Sequence, residues 1–166
     1  MFNYGMCWND HTGLGAPAGS LLIGPKDFIT RAHRCRKALG GGMRQVGVLA
    51  AAALVALDDF EAGMLHADHT RAQRVAKSLA VMRGYHLEVE SVHTNIVIVS
   101  VDVAMCVPGG SHLSSNYVVE YLARQGLLII SISPSAVRVT LHRDITDECV
   151  DDLIKGFQEV SESLLG

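Results

Sequence analysis

Residues 46–57 read VGVLAAAALVAL, twelve residues with one glycine and no charge. A helix built from this run is apolar almost all round, so it has to be covered on several sides. It is too short to cross a bilayer, which takes about 20 residues. The run therefore belongs inside a folded protein or against a partner. It predicts a buried helix over residues 43–57. Composition agrees, with 49% hydrophobic and only 19% charged residues, the latter below the roughly 25% of a typical soluble domain. Such a chain buries much of its surface or covers it with a partner, and disorder is excluded as its main state.

The 166 residues suit one ordinary domain with a sizeable core. A formal net charge of −3 gives no support to a nucleic-acid partner, and no apolar run supports a membrane one. Residues 1–11 lack the basic start and apolar stretch of a signal peptide. Cys7, Cys35, Cys106 and Cys149 lie far apart and form no CxxC pair. Reduced thiols in the cytosol are the expectation, with a mitochondrial location as the alternative.

Periodicity divides the chain near residue 85. Before it, a Gly- and Pro-rich loop over residues 13–25 encloses a short strand at Leu21, Leu22 and Ile23. A loosely helical segment over 26–39 follows, dense in Arg31, Arg34, Arg36 and Lys37. After the helix at 43–57, Asp58 and Asp59 mark a junction, and a second helix is predicted over 60–83, stopped by Gly84. Residues 1–12 show no clear period and are expected to be poorly ordered. Beyond residue 84 the order is strand (Leu87 to Val89), strand (Ile96 to Val99), helix (114–125), strand (127–132), strand (136–141) and helix. Thr146 is placed to cap the last helix. This is a small α/β unit with helices on one face of a largely antiparallel sheet.

Three features carry chemistry. Gly40, Gly41 and Gly42 lie ahead of a helix and between Lys37 and Arg44. Glycines there free backbone N–H groups and let an anion approach. The same pattern also reads as a flexible cap joining two helices. Arg138 alternates with Val137 and Val139, so its guanidinium leaves the core face and suits a carboxylate. It also reads as a plain surface arginine. His66 and His69 sit three apart with Asp68 between them, a spacing that shares a metal or simply faces solvent.

The blocks GLGAPAGS, RKALGGGMRQVGVLAAAALVAL, the pair Asp68-His69 and AVRVTLHRDIT together resemble the C-terminal half of the threonine aldolases, within the fold-type-I pyridoxal-phosphate enzymes. The resemblance runs from Gly13 to the C-terminus. It implies the C-terminal portion of that transferase-like fold, with long helices and a small α/β domain. Residues 1–84 are then a remnant of the large cofactor domain with connecting helices, and 85–166 the small domain. It further implies pyridoxal phosphate as cofactor and cleavage of threonine or allo-threonine to glycine and acetaldehyde, in threonine breakdown and glycine formation. Arg138 matches the substrate-carboxylate arginine. Lys37 and Arg44 match the block near the cofactor and a subunit boundary. The family's Schiff-base lysine, which stands directly before GLGAP, corresponds to Thr12, and threonine has no amine. The resemblance does not reach the family's N-terminal half. The isolated chain is therefore expected to be inactive, and to associate with copies of itself or with a full-length relative.

Overall fold

A computed structural model describes residues 15–164, together with the backbone of residues 6–9. Two compact units result, Met1–Met64 and Leu65–Gly166.

In the first unit, β1 (Met6–Asn9) pairs antiparallel with β2 (Ser20–Ile23), from Met6 opposite Ile23 to Asn9 opposite Ser20. Within residues 1–12, where poor order is expected, this strand is the described part. The rest of that span lies outside the described residues. Helix α1 (Lys26–Ala38) is entered from Pro25, with Asp27 in its first turn and Arg36 and Lys37 in its last. Those charges complement the helix dipole at both ends. The helix closes on Gly40, whose φ of +82° turns the chain left-handed. Gly40 N–H donates to the Lys37 carbonyl (3.2 Å) and Gly41 N–H to the Arg36 carbonyl (2.8 Å). This is the paired bonding of a Schellman cap.

Helix α2 (Gly47–Glu61) starts four residues later than the sequence suggests. Residues 44–46 are taken up by a turn in which Gln45 has φ +53°. Asp58 and Asp59 lie inside α2 and do not mark its end. Its stop is Gly63 at φ +88°, where Ala62 N–H donates to Asp58 and Gly63 N–H to Phe60. Among the described residues of this unit only Ala16 and Ala56 are buried. Helix α2 exposes Val48 (79%), Leu54 (63%) and Val55 (60%). The expected burial of this run is thus not met within the chain's own first unit.

The second unit is built from α3 (Met64–Leu79), β3 (Tyr85–His86), β4 (Ile96–Val101), α4 (Ser115–Arg124), β5 (Ile130–Ser133), β6 (Ala136–Thr140) and α5 (Asp147–Ser163). Its sheet order is β3-β4-β6-β5, every neighbouring pair antiparallel. This is the mixed α/β architecture with an antiparallel sheet that the sequence implies. Val97, Val99 and Val101 of β4 and Val137 and Val139 of β6 alternate onto one face. There they join Val75 and Leu79 of α3, Val118 and Leu122 of α4, and Val150, Phe157 and Val160 of α5 in one core. Ala72, Val75, Ala76 and Leu79 of α3 are fully buried in that core. The compact unit therefore takes in a helix that lies before the expected boundary at residue 85.

Local chemistry sets the remaining boundaries. Ser114 Oγ accepts from Tyr117 N–H (3.2 Å) and Thr146 Oγ1 from Cys149 N–H (3.3 Å), so both helices have side-chain caps. The Thr146 hydroxyl also donates to the Cys149 thiol (3.3 Å) and holds that thiol below its ordinary range. The strand expected at Leu87 to Val89 is not formed. Tyr85–His86 pairs with β4 instead, and Val89–Ser91 makes a 3-10 turn. Ser91 N–H and Oγ both bind the Glu88 carbonyl, and the α3 side chain of Gln73 donates to the Val92 carbonyl. These bonds satisfy the backbone without a ladder. Strand β5 starts at Ile130 because Leu127 N–H is still bound to the Leu122 carbonyl of α4. Among the described residues no helix is long and apolar enough to cross a membrane.

Candidate functional site

The last two turns of α1 and the turn before α2 enclose a groove of about 600 Å³, lined by His33, Arg34, Arg36, Lys37 and Arg44 together with Ala38, Gly42 and Met43. No carboxylate is among the lining residues. The two cations singled out by sequence, Lys37 and Arg44, thus share one hollow. Arg36 and His33 were not singled out, although the spacing 33, 36, 37 places them on one helical face with Lys37.

The glycines shape this groove differently from the way the sequence suggests. Two of the three N–H groups, those of Gly40 and Gly41, are consumed by the α1 cap. The loop instead contributes missing side chains. A Cβ on Gly42 would stand 2.9 Å from both Cδ and Nζ of Lys37, and one on Gly41 would stand 2.9 Å from Cγ of Arg36. Both cationic side chains lie across the loop because nothing projects from it. The groove is open, with all five basic residues exposed.

Arg138 lies in the second unit, on the sheet face opposite the core. Its register neighbours are Ile98 on β4 and Ile130 on β5. Both isoleucines are 54% exposed. The Arg138 Nε is enclosed without a hydrogen-bond partner. An arginine held between two aliphatic neighbours with an unused donor is suited to an anion, and a carboxylate matches its planar fork.

His66 and His69 lie on α3 beside a hollow of about 520 Å³ with Thr70, Gln73, Arg74 and Lys77. Among the described residues no three His, Cys, Asp or Glu side chains gather into a metal-holding group. Asp68, between the two histidines, is 1% exposed, and its nearest cation is Arg71 Nη1 at 3.7 Å. Arg71 also donates from Nε to Asp147 at the start of α5 (3.0 Å). Arg71 thus links α3 to the start of α5, while both Asp68 carboxylate oxygens are enclosed without a hydrogen-bond partner. Thr12 lies outside the described residues.

Pyridoxal phosphate presents a phosphate dianion and an aldehyde. The lining, with Arg34, Arg36, Lys37 and Arg44 and no carboxylate, and the glycine loop fit the phosphate end.

The beta-eliminating lyase family matches residues 5–104. Low-specificity L-threonine aldolase 1 of Arabidopsis thaliana is 39% identical over 147 residues, 89% of this chain and 39% of its own length. Low specificity L-threonine aldolase of Escherichia coli (strain K12) is 38% identical over 136 residues, 82% of this chain and 36% of its own length. The chain thus spans less than half the length of these relatives. Threonine-aldolase-like relatives and a fold-type-I pyridoxal-phosphate family account together for the motif blocks and the α/β architecture. With more than half of the sequence inside the family match, this chain belongs to the beta-eliminating lyase family.

Proposed function

We propose that this chain carries the substrate-carboxylate contact and part of the cofactor-phosphate contact of a pyridoxal-phosphate lyase. The reaction is the splitting of a 3-hydroxy amino acid, threonine or allo-threonine, into glycine and an aldehyde. The observation that carries this reading is Arg138, which stands on the exposed sheet face between Ile98 and Ile130 with an unused Nε. When bound, the cofactor supplies an electron sink for the charge left as the carbon–carbon bond breaks. Arg138 holds the amino-acid carboxylate through its guanidinium fork, and its aliphatic neighbours fix the stem. Lys37 and Arg44 hold the phosphate in the groove at the end of α1. Residues 1–84 derive in this reading from the large cofactor domain and its connecting helices, and 85–166 from the small domain. Among the described residues Cys35, Cys106 and Cys149 are free thiols, which supports a cytosolic location.

Titration with allo-threonine, followed by NMR shifts, tests the role of Arg138. Arg138→Leu is expected to weaken binding at least about tenfold, because hydrogen bonds to charged groups contribute about 1.5–3 kcal/mol. Binding of pyridoxine 5′-phosphate, which needs only the groove, is expected to stay unchanged. Equal amino-acid affinity in the two proteins rejects the assignment.

A second reading, a non-catalytic chain that associates with itself or with a full-length relative, is favoured by the exposed Val48, Leu54 and Val55 of α2. Contiguous apolar patches of a few hundred Å² mark association surfaces. Sedimentation velocity is expected to show growth with concentration, removed by Val48→Glu with Leu54→Glu. A profile that stays monomeric at high concentration rejects this partner.

A further inference from the structure

Four lysines occur in the chain, Lys26, Lys37, Lys77 and Lys155. Lys37 alone among them lines the groove with Arg36 and Arg44. Its side chain is laid across the Gly42 backbone, where a Cβ would stand 2.9 Å from Nζ. That places a primary amine in a hollow of about 600 Å³, a size that takes a small-molecule ligand. The guanidiniums of Arg34, Arg36 and Arg44 share its walls, and guanidinium forks hold phosphate bidentately.

We propose that this groove takes a small phosphomonoester bearing an aldehyde, and that Lys37 condenses with the aldehyde while Arg36 and Arg44 hold the phosphate. The inference rests on the cofactor reading above and goes beyond it by assigning a covalent attachment to Lys37 in a chain whose family lysine position is Thr12. The Lys37 ammonium first releases one proton to solvent. The neutral amine adds to the carbonyl carbon, the two remaining N–H protons and the carbonyl oxygen leave as one water, and a C=N bond replaces C=O. No oxidant or reductant takes part. The phosphate determines which amine reacts, because it raises the local aldehyde concentration at one lysine out of four.

The test treats the 166-residue chain with pyridoxal 5′-phosphate, traps the imine with borohydride and assigns the modified lysines by peptide mass spectrometry. Labelling of Lys37 is expected to exceed that of Lys26, Lys77 and Lys155 by at least about fivefold, the preference that roughly 1 kcal/mol of added binding gives. Pyridoxal without the phosphate, or excess inorganic phosphate as competitor, is expected to abolish the preference. Gly42→Ala displaces only the flexible end of Lys37. It is expected to bring Lys37 down to the level of the other lysines with the circular dichroism unchanged. Even labelling of all four lysines overturns the proposal, as does a preference that survives loss of the phosphate. Pyridoxine 5′-phosphate, an alcohol in place of the aldehyde, separates the two levels. If it binds and Lys37 shows no preference, the covalent inference falls and the phosphate site stands. If it does not bind, both fall.

Discussion

Phe157→Ala is expected to destabilise the second unit by about 3–5 kcal/mol, the range for truncating a buried aromatic. Phe157 is fully buried on α5 and meets Tyr85 edge-on, with ring centroids 5.2 Å apart and an interplanar angle of 83°. The Tyr85 hydroxyl donates to the Phe157 carbonyl (3.3 Å). Removing the ring deletes the dispersion contacts of both partners and leaves a cavity between α5 and the first strand of the sheet. Urea unfolding followed by circular dichroism measures the loss. Ile130→Ala, on the exposed outer face, is the control and is expected to cost less than about 1 kcal/mol. A second readout comes from pH. Burial, with a smaller contribution from Tyr117, pushes the Tyr85 phenol far above its usual value. The unfolded chain ionises at that usual value while the folded chain does not, so stability falls as pH rises past the ordinary phenol range. Opening the site by Phe157→Ala is expected to bring the phenol down and shrink this alkaline loss. A cost below about 1 kcal/mol for Phe157→Ala would mean that the core does not rest on this contact.

The second unit is the part a reader of the sequence sees best. Strand β6 alternates Val137, Arg138, Val139, and a period of two assigns each side chain to a face without any tertiary knowledge. Ser114 and Thr146 announce their helices because each supplies the hydroxyl that an orphan N–H needs. The first unit is less legible because residues 46–57 are apolar on every side, and a stripe without a polar gap carries no phase from which to read a start. The helix is therefore offset, and Gly63, not the Asp58-Asp59 pair, ends it. Strand β3 carries no local signal, because its two residues are selected by pairing with Ser100 and Val101, far along the chain. At the site, the sequence located the cations but misassigned the glycines. It suggested free N–H groups, whereas the cap of α1 uses two of them and the missing side chains matter more. That distinction needs the positions of Arg36 and Lys37 in space.

Supplied with pyridoxal phosphate, the 166-residue chain is expected to release no glycine from allo-threonine above the rate of the free cofactor. Enzymes commonly accelerate reactions about 10⁶-fold or more, and most of that comes from dipoles and charges preorganised around the reacting atoms. The groove that holds Lys37 and Arg44 is open, with its basic residues exposed, so water screens the charges that would act on a bound ring. An imine formed there lacks enclosure. Residue 12, which the resemblance to the threonine aldolases sets at the family's lysine position, is a threonine, and a hydroxyl cannot form the C=N bond. Thr12→Lys is expected to gain borohydride-trapped cofactor at position 12, and still to show no turnover. An amine restores attachment, whereas the threonine aldolases of Arabidopsis thaliana and Escherichia coli are more than twice as long as the span this chain covers. Glycine appearing with the unmodified chain, after removal of any contaminating enzyme, would overturn the inactive reading. Glycine appearing only with Thr12→Lys would show that the basic groove, Arg138 and one amine suffice, and that the chain's own residues supply more of the preorganised surroundings than their exposure suggests.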